Sequence, residues 1–360
     1  MSRRVKLLIG LGLLTGGLLL VGRLVSLQPP IEARRSDRLP PPRPQSATER
    51  IFPEVSLVRL AVLGDRPETF LHDPDYVRPG PDGSVYVFDR GASQVVRFDP
   101  QTGQILQRYG SGPGKGPGEF MMVSDIEVDA QGRVFVCDPE NGRISLFAAH
   151  GPLLATMKPR RLPYKVALLA DQLLAVQPID PYDDALFALY RLEEQQDQYR
   201  LVYLRRFGEF LERQAAFGLV LSGELTGVDS FLVYTPDRIG WMAAFRPEGS
   251  LKYFRETIIP VPIPKLVQRG SARMVDRRAP YATYALSADT RHLYLYAGAH
   301  SDRTFYQIDV YDVQTGTYRF TLPFPEWAGQ LYVQDSLIYA VQDTVVTIWQ
   351  WQRKPSPPEA

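Results

Sequence analysis

The chain has one cysteine, Cys137, so it cannot staple itself with an internal disulfide even in a compartment that would permit one. That thiol ends the apolar run Val134 to Cys137 with no sequence neighbour to lower its pKa, and it reads as a small buried hydrophobe rather than a nucleophile. Histidine is scarce too. His72, His150, His292 and His300 occupy unrelated turn and strand-start contexts, which argues against a three-histidine zinc site. Charge of one sign is missing: 41 Lys and Arg against 40 Asp and Glu leave a formal net charge of +1. No run of five or six basic residues supplies a local field, so no nucleic-acid partner is expected. Long capped segments of 3.6-residue period are absent beyond the amino terminus, and the domain reads as nearly all β. One exception is Tyr203 to Leu221, where Phe207, Phe210, Leu211, Ala215, Ala216 and Leu219 have the spacing of a short helix.

What the chain does have is ample core material, with 44% hydrophobic and 11% aromatic residues over 360 positions. Arg3, Arg4 and Lys6 precede an apolar run from Leu7 to Gly22, the charge-then-hydrophobe order of an export signal. Sixteen helical residues cover roughly 24 Å against about 30 Å of hydrocarbon, and continuing to Leu27 lengthens the run adequately if Arg23 snorkels. Residues 1–27 thus read as a signal peptide or, without a convincing cleavage site, as a membrane anchor. The flanking positive charge sends the remainder to the periplasm or cell exterior. Residues 28–50, with Pro29, Pro30, Pro40, Pro41, Pro42 and Pro44 among Arg34, Arg35 and Arg38, read as an extended tether, and 354–360 as a solvated tail.

Between them, residues 51–353 repeat. Gly83-Ser-Val-Tyr-Val-Phe-Asp89 runs on to Val95-Val-Arg-Phe98, and Gly132-Arg-Val-Phe-Val-Cys-Asp138 runs on to Ile144-Ser-Leu-Phe147; the aspartates lie 49 positions apart. A period of that length made of short strands predicts a β-propeller. Aromatic and β-branched strand pairs place blade cores around Val85 to Phe98, Val134 to Phe147, Leu173 to Leu192, Phe231 to Phe245, Leu293 to Tyr311 and Leu337 to Trp349, six in all. Asp99-Pro-Gln-Thr-Gly103 and Asp312-Val-Gln-Thr-Gly316 mark the same turn in the first and fifth. The sixth runs out of chain after three strands, so the orphan strand Val55 to Val62 is expected to complete it with Val58, Leu60 and Val62 on the buried face. Closing that loop costs about 5 kcal/mol, which a ladder of hydrogen bonds at about 1 kcal/mol each plus apolar burial offsets.

On these residues the chain resembles an NHL-type six-bladed β-propeller. VFVCDPENGRISLFAAHG follows the family pattern of a strand ending in Asp, a turn with Asn and Gly, Arg-Ile, and a strand ending in Phe before Gly; VYVFDRGASQVVRFDPQTG keeps the Asp and Phe. Gly112-Pro-Gly-Lys-Gly-Pro-Gly-Glu-Phe120 resembles the Gly-Pro-Gly-Glu-Phe connector of exported bacterial six-bladed propellers, a group whose members mostly carry no assigned activity.

That glycine-rich connector fails as a phosphate loop, because Gly116 follows Lys115 where Ser or Thr should hold magnesium, and Pro113 and Pro117 lack amides. Asp89 and Asp138 are expected to hold turns by accepting backbone N–H bonds. The channel-side positions expected from inner strands are Arg78, Asp125, Lys165, Asp229 and Tyr284, a mixed set suited to a protein or a small polar ligand. No cofactor is expected beyond a calcium held by Asp125 and Asp229. The expectation is an exported, membrane-tethered binding or scaffolding module. Its rival is a metal-dependent lyase or hydrolase of the lactonase kind using channel carboxylates.

Overall fold

The computed structural model describes residues 41–354, apart from 171, 180–184, 197, 209–217, 270–271, 277 and 299–305. The signal or anchor, most of the tether, His300, the tail beyond Lys354 and the middle of the expected helix between Tyr203 and Leu221 lie outside these residues. At its ends, that last stretch finishes a strand at Phe207 and forms a 3-10 turn at Gly218–Leu221.

Six four-stranded antiparallel sheets make an all-β propeller. From the axis outward, blade 1 contains Pro74–Pro79, Val85–Asp89, Gln94–Phe98 and Ile105–Tyr109, and blade 2 contains Asp125–Val128, Val134–Asp138, Arg143–Phe147 and Leu153–Met157. Blade 3 contains Pro163–Leu169, Leu173–Pro178, Phe187–Gln195 and Gln198–Phe207; blade 4 contains Gly223–Val228, Phe231–Pro236, Trp241–Phe245 and Leu251–Glu256. Blade 5 contains Thr283–Ala288, His292–Ala297, Tyr306–Asp312 and Tyr318–Phe324. In blade 6, Gln330–Gln334, Leu337–Gln342 and Val345–Arg353 are followed outward by Val55–Leu63. Successive inner strands touch, and the first touches the last, so the ring encloses an axis.

Blades stacked face to face bury both sides of their middle strands, which is why these read as unbroken apolar runs. Val85–Asp89 and Val134–Asp138 are buried at every residue. Val85 and Val87 enter the seam with blade 6, while Tyr86 and Phe88 enter the seam with blade 2.

Val55–Leu63 pairs from Val55 opposite Arg353 to Leu63 opposite Val346, with a bulge between Arg59 and Ala61. The expected face is reversed: Val58 and Leu60 are 54% and 53% exposed. The bulge carries the odd-numbered residues from one seam to the other, so Val55 and Leu57 pack between blades 5 and 6 and Ala61 and Leu63 between blades 6 and 1.

The chain just before that strand is also part of the ring. Arg43 exchanges backbone bonds with Phe254 and Glu256 of blade 4, and Gln45 bonds Glu256, Gly316 and Tyr318. Arg50 reaches between blades 4 and 5 and grips Asp309 through two 2.8 Å bonds, with both side chains at most 3% exposed. A further element without a sequence signal is the hairpin Leu266–Arg269 and Ala272–Val275 between blades 4 and 5.

Candidate functional site

Each connection from an outer strand to the next inner strand crosses the same face, called here the upper face. In blades 1 and 2 it is clamped by the repeated aspartate. Asp89 accepts backbone N–H bonds from His72, Asp73 and Gly91 at 2.9–3.2 Å, and Asp138 accepts them from Met121, Met122 and Asn141 at 3.1–3.3 Å. The equivalence is residue for residue: each carboxylate, fully buried, ties the connection 16 and 17 positions upstream to its own turn. The glycine-rich connector is held by its carbonyls, since Arg143 donates to Lys115, Gly116 and Glu119, and Asn141 donates to Gly114. Glu119 accepts the Gly116 N–H at 2.7 Å, and a Cβ on Gly114, whose φ is +154°, would stand 2.1 Å from that carboxylate. Those glycines serve the loop's own fold. The connector is a rigid strut.

At the axis, three of the five expected positions come together. Arg78 bonds Asp125 at 2.8 Å and Glu127 at 3.1 Å, while Lys165 pairs with Glu224 at 2.9 Å. Asp125 also accepts the Val166 N–H at 3.1 Å, linking blades 1, 2 and 3 through one carboxylate. Arg78 lies over the Tyr332 ring at 5.2 Å, and Lys165 of blade 3 lies 5.0 Å from the Tyr76 ring of blade 1. The channel is therefore filled at this level by its own side chains.

Four carboxyls, Asp125, Glu127, Glu224 and Asp237, stand among Arg78 and Lys165, with Arg238 also acting on Asp237. Burial, together with the neighbouring Asp125, pushes Glu127 up to about 7 against the pull of Arg78. Burial and then the Glu224 charge push Asp237 up to about 7. Burial also raises Asp125, although Lys165 and Arg78 oppose it. Burial works against charge on Lys165 as well, but Glu224 and its other neighbours hold the ammonium protonated well above its ordinary range. Burial is thus the leading cause that raises Asp125, Glu127 and Asp237 together.

Asp229 and Tyr284 do not join this group. Asp229 occupies a left-handed turn, φ +48°, at the lower end of blade 4, and borders a concavity of about 220 Å³ with Asp289 and Asp335. Asp289 spends its carboxylate on the N–H groups of Arg291 and His292 and the Tyr294 hydroxyl. Tyr284 sits where the register slips between Thr283 and Ala285, which turns it upward into an aromatic ledge. It stacks on Tyr281 at 5.1 Å and meets Trp327 at 5.2 Å and 89°, with Arg238 over Tyr281 at 3.9 Å. Among the described residues no three His, Cys, Asp or Glu side chains converge as a metal-holding group. Cys137 is fully buried and its thiol is pushed upward by burial.

Glu127, Glu224, Asp237, Tyr76 and Tyr332 were not singled out from sequence. The signal for one of them, Glu127, is Asp125-Ile-Glu127, whose polar residues alternate in an inner strand of a largely apolar sheet.

No protein-family model matches the chain, and no curated protein matches it. Among solved structures it is similar to a member of the duf4221 family from Bacteroides vulgatus, with a TM-score of 0.54 and 12% identity over 84% of this chain and 99% of that one. It is also similar to a Bacteroides fragilis protein named for its expected export, with a TM-score of 0.52 and 11% identity over 87% and 99%. Likeness at such identity is a likeness of fold.

Proposed function

We propose that this chain is an exported binding module that docks a protein partner on the upper face of its propeller, around the channel mouth. One observation carries the reading. Among the described residues, five of ten exposed large hydrophobic side chains stand singly on the upper connections into five different blades: Phe70, Met121, Leu162, Ile263 and Trp327, each 41–47% exposed. Scattered exposed hydrophobes are ordinary, but a ring of them on one face is a docking pattern. Four of the others, Ile51, Phe52, Val58 and Leu60, follow the amino-terminal segment, and Leu106 alone lies on an outer strand elsewhere. The Tyr281, Tyr284 and Trp327 ledge with Arg238 adds the aromatic and arginine content typical of interface anchors. A small polar ligand would meet this ledge and the axial carboxyls at the mouth, since Arg78 and Lys165 fill the passage below.

Export and tethering rest on Arg3, Arg4 and Lys6 ahead of the apolar run, which favour a periplasmic or extracellular propeller held through residues 1–27. The repeats over residues 80–150 favour an NHL-type member of the six-bladed propellers.

Photo-crosslinking side chains placed at Met121, Leu162 and Trp327 of the full-length protein in cells test the reading. They should trap one common protein, which Leu106 does not. No common product, or the same product from Leu106, refutes it. A calcium or zinc titration read by thermal shift distinguishes the rival chemistry: a large stabilisation removed by Asp125→Asn or Asp229→Asn would indicate a metal-dependent lyase or hydrolase.

A further inference from the structure

Buried polar atoms without a partner are distributed unevenly around the ring. Among the described residues nine such side-chain atoms occur, and five belong to the seam between blades 4 and 5. They are Thr235 Oγ1, Thr283 Oγ1, both amide atoms of Gln307, and Arg50 Nη1. Thr235, Thr283 and Gln307 are at most 1% exposed, and the Arg50 side chain is 3% exposed.

Strand register places them in that seam. Val233, Leu295, Ala297 and Tyr311 form its apolar core. Thr235 lies two residues beyond Val233 in the same strand, Thr283 stands directly across from Ala297, and Gln307 precedes Tyr311 by four, so all three share the core's face. The Asp237 carbonyl accepts the N–H groups of Ala282 and Thr283 at 2.6 and 3.1 Å, which joins the two blades at the level of the threonines. Arg50 enters from the outside and is fixed on Asp309, two residues from Gln307. Thr283 and Gln307 stand two strands apart, about 9–10 Å, and Gln307 and Asp309 about 7 Å apart along the strand. Such backbone separations suit bridging molecules better than direct bonds.

We propose that the seam between blades 4 and 5 is a built site for ordered water, a short file running from beside Asp237 outward to Arg50. Donor and acceptor accounting selects the ligand. Gln307 Oε1 has nothing to accept and so needs a donor, which a simple anion cannot supply; Gln307 Nε2 and Arg50 Nη1 need an acceptor, which a metal cation cannot supply. Water does both, and each molecule needs two to four polar partners, which this cluster provides. Two neighbouring hydroxyls already have partners: the Tyr311 hydroxyl accepts from Ile258 N–H at 3.0 Å, and the Thr321 hydroxyl donates to Asp309 at 2.6 Å.

A crystal structure of the full chain at about 1.5 Å should show ordered waters in hydrogen-bond contact with Gln307, Thr283 and Arg50 Nη1. Direct contacts among these side chains in a dry seam overturn the proposal. Thermal unfolding of Gln307→Leu and Thr283→Val provides the second reading. If water serves these groups, each change removes partners from a satisfied network and lowers the melting temperature by a few degrees. In a dry seam each change removes an orphan and raises it. A wild-type melting temperature that rises with chloride at constant ionic strength would assign the site to an anion and overturn the proposal.

Discussion

Replacing Arg50 with alanine should destabilise the propeller more than almost any other single change outside its apolar seams. The guanidinium makes two 2.8 Å bonds to Asp309, whose side chain is 2% exposed and, among the described residues, also accepts the Thr321 hydroxyl. Without Arg50 that carboxylate stays buried and uncompensated, which costs about 3–5 kcal/mol. With an unfolding entropy of about 2.1 cal/mol/K per residue over a ring of roughly 300 residues, the melting temperature should fall by about 5–8 °C. The assay is calorimetric or circular-dichroism unfolding of the full chain beside a double-mutant cycle. Arg50→Ala and Asp309→Ala should each be strongly destabilising, while Arg50→Met with Asp309→Leu recovers most of the loss, because a well-packed apolar pair avoids the desolvation of two charges. An Arg50→Ala protein melting within a degree of wild type would refute the reasoning and return residues 41–50 to the role of a loose tether.

Deleting residues 51–63 removes the outermost strand of blade 6 and should broaden and lower the unfolding transition; an unchanged melting temperature would show that the ring does not depend on that strand. Gly227→Ala should open the seam between blades 3 and 4, because a Cβ there would stand 1.7 Å from the Leu168 carbonyl oxygen. Its expected cost is at least about 3 kcal/mol, measurable by denaturant unfolding. Glu127 and Asp237 are raised in the folded state above their unfolded values, so the stability they contribute is full below about pH 4 and is lost as pH rises through about 7. The melting temperature should accordingly fall between pH 5 and pH 8, and Glu127→Gln should flatten part of that slope. Cys137 should resist thiol reagents in the native protein and react only on unfolding.

The repeat was legible because the same local chemistry recurs. Asp89 and Asp138 each end a strand, each is buried, and each gathers the same upstream amides, so the pattern is written in neighbouring letters. The axis was half legible. Arg78, Asp125 and Lys165 follow from counting into inner strands, but the register slip at Thr283 redirects Tyr284, and Asp229 lies in the turn just past its strand where counting had it line the channel. A one-residue irregularity leaves no mark in composition, yet it changes the face of everything beyond it. The same physics reversed the buried side of Val55–Leu63. Arg50 was hidden for a different reason. Proline and arginine in the preceding stretch describe a chain that cannot build its own core, and nothing in them tells that one guanidinium finds its partner 259 positions away.

The pairing of Val55–Leu63 with Val345–Arg353 joins the first and the last strands among the described residues. Blade 6 is thus unfinished until Val345–Arg353 has been made, and the early strand must wait with a bare hydrogen-bonding edge while five blades assemble. A ring that cannot lock ahead of its last strand acquires its full cooperativity only when that strand is in place.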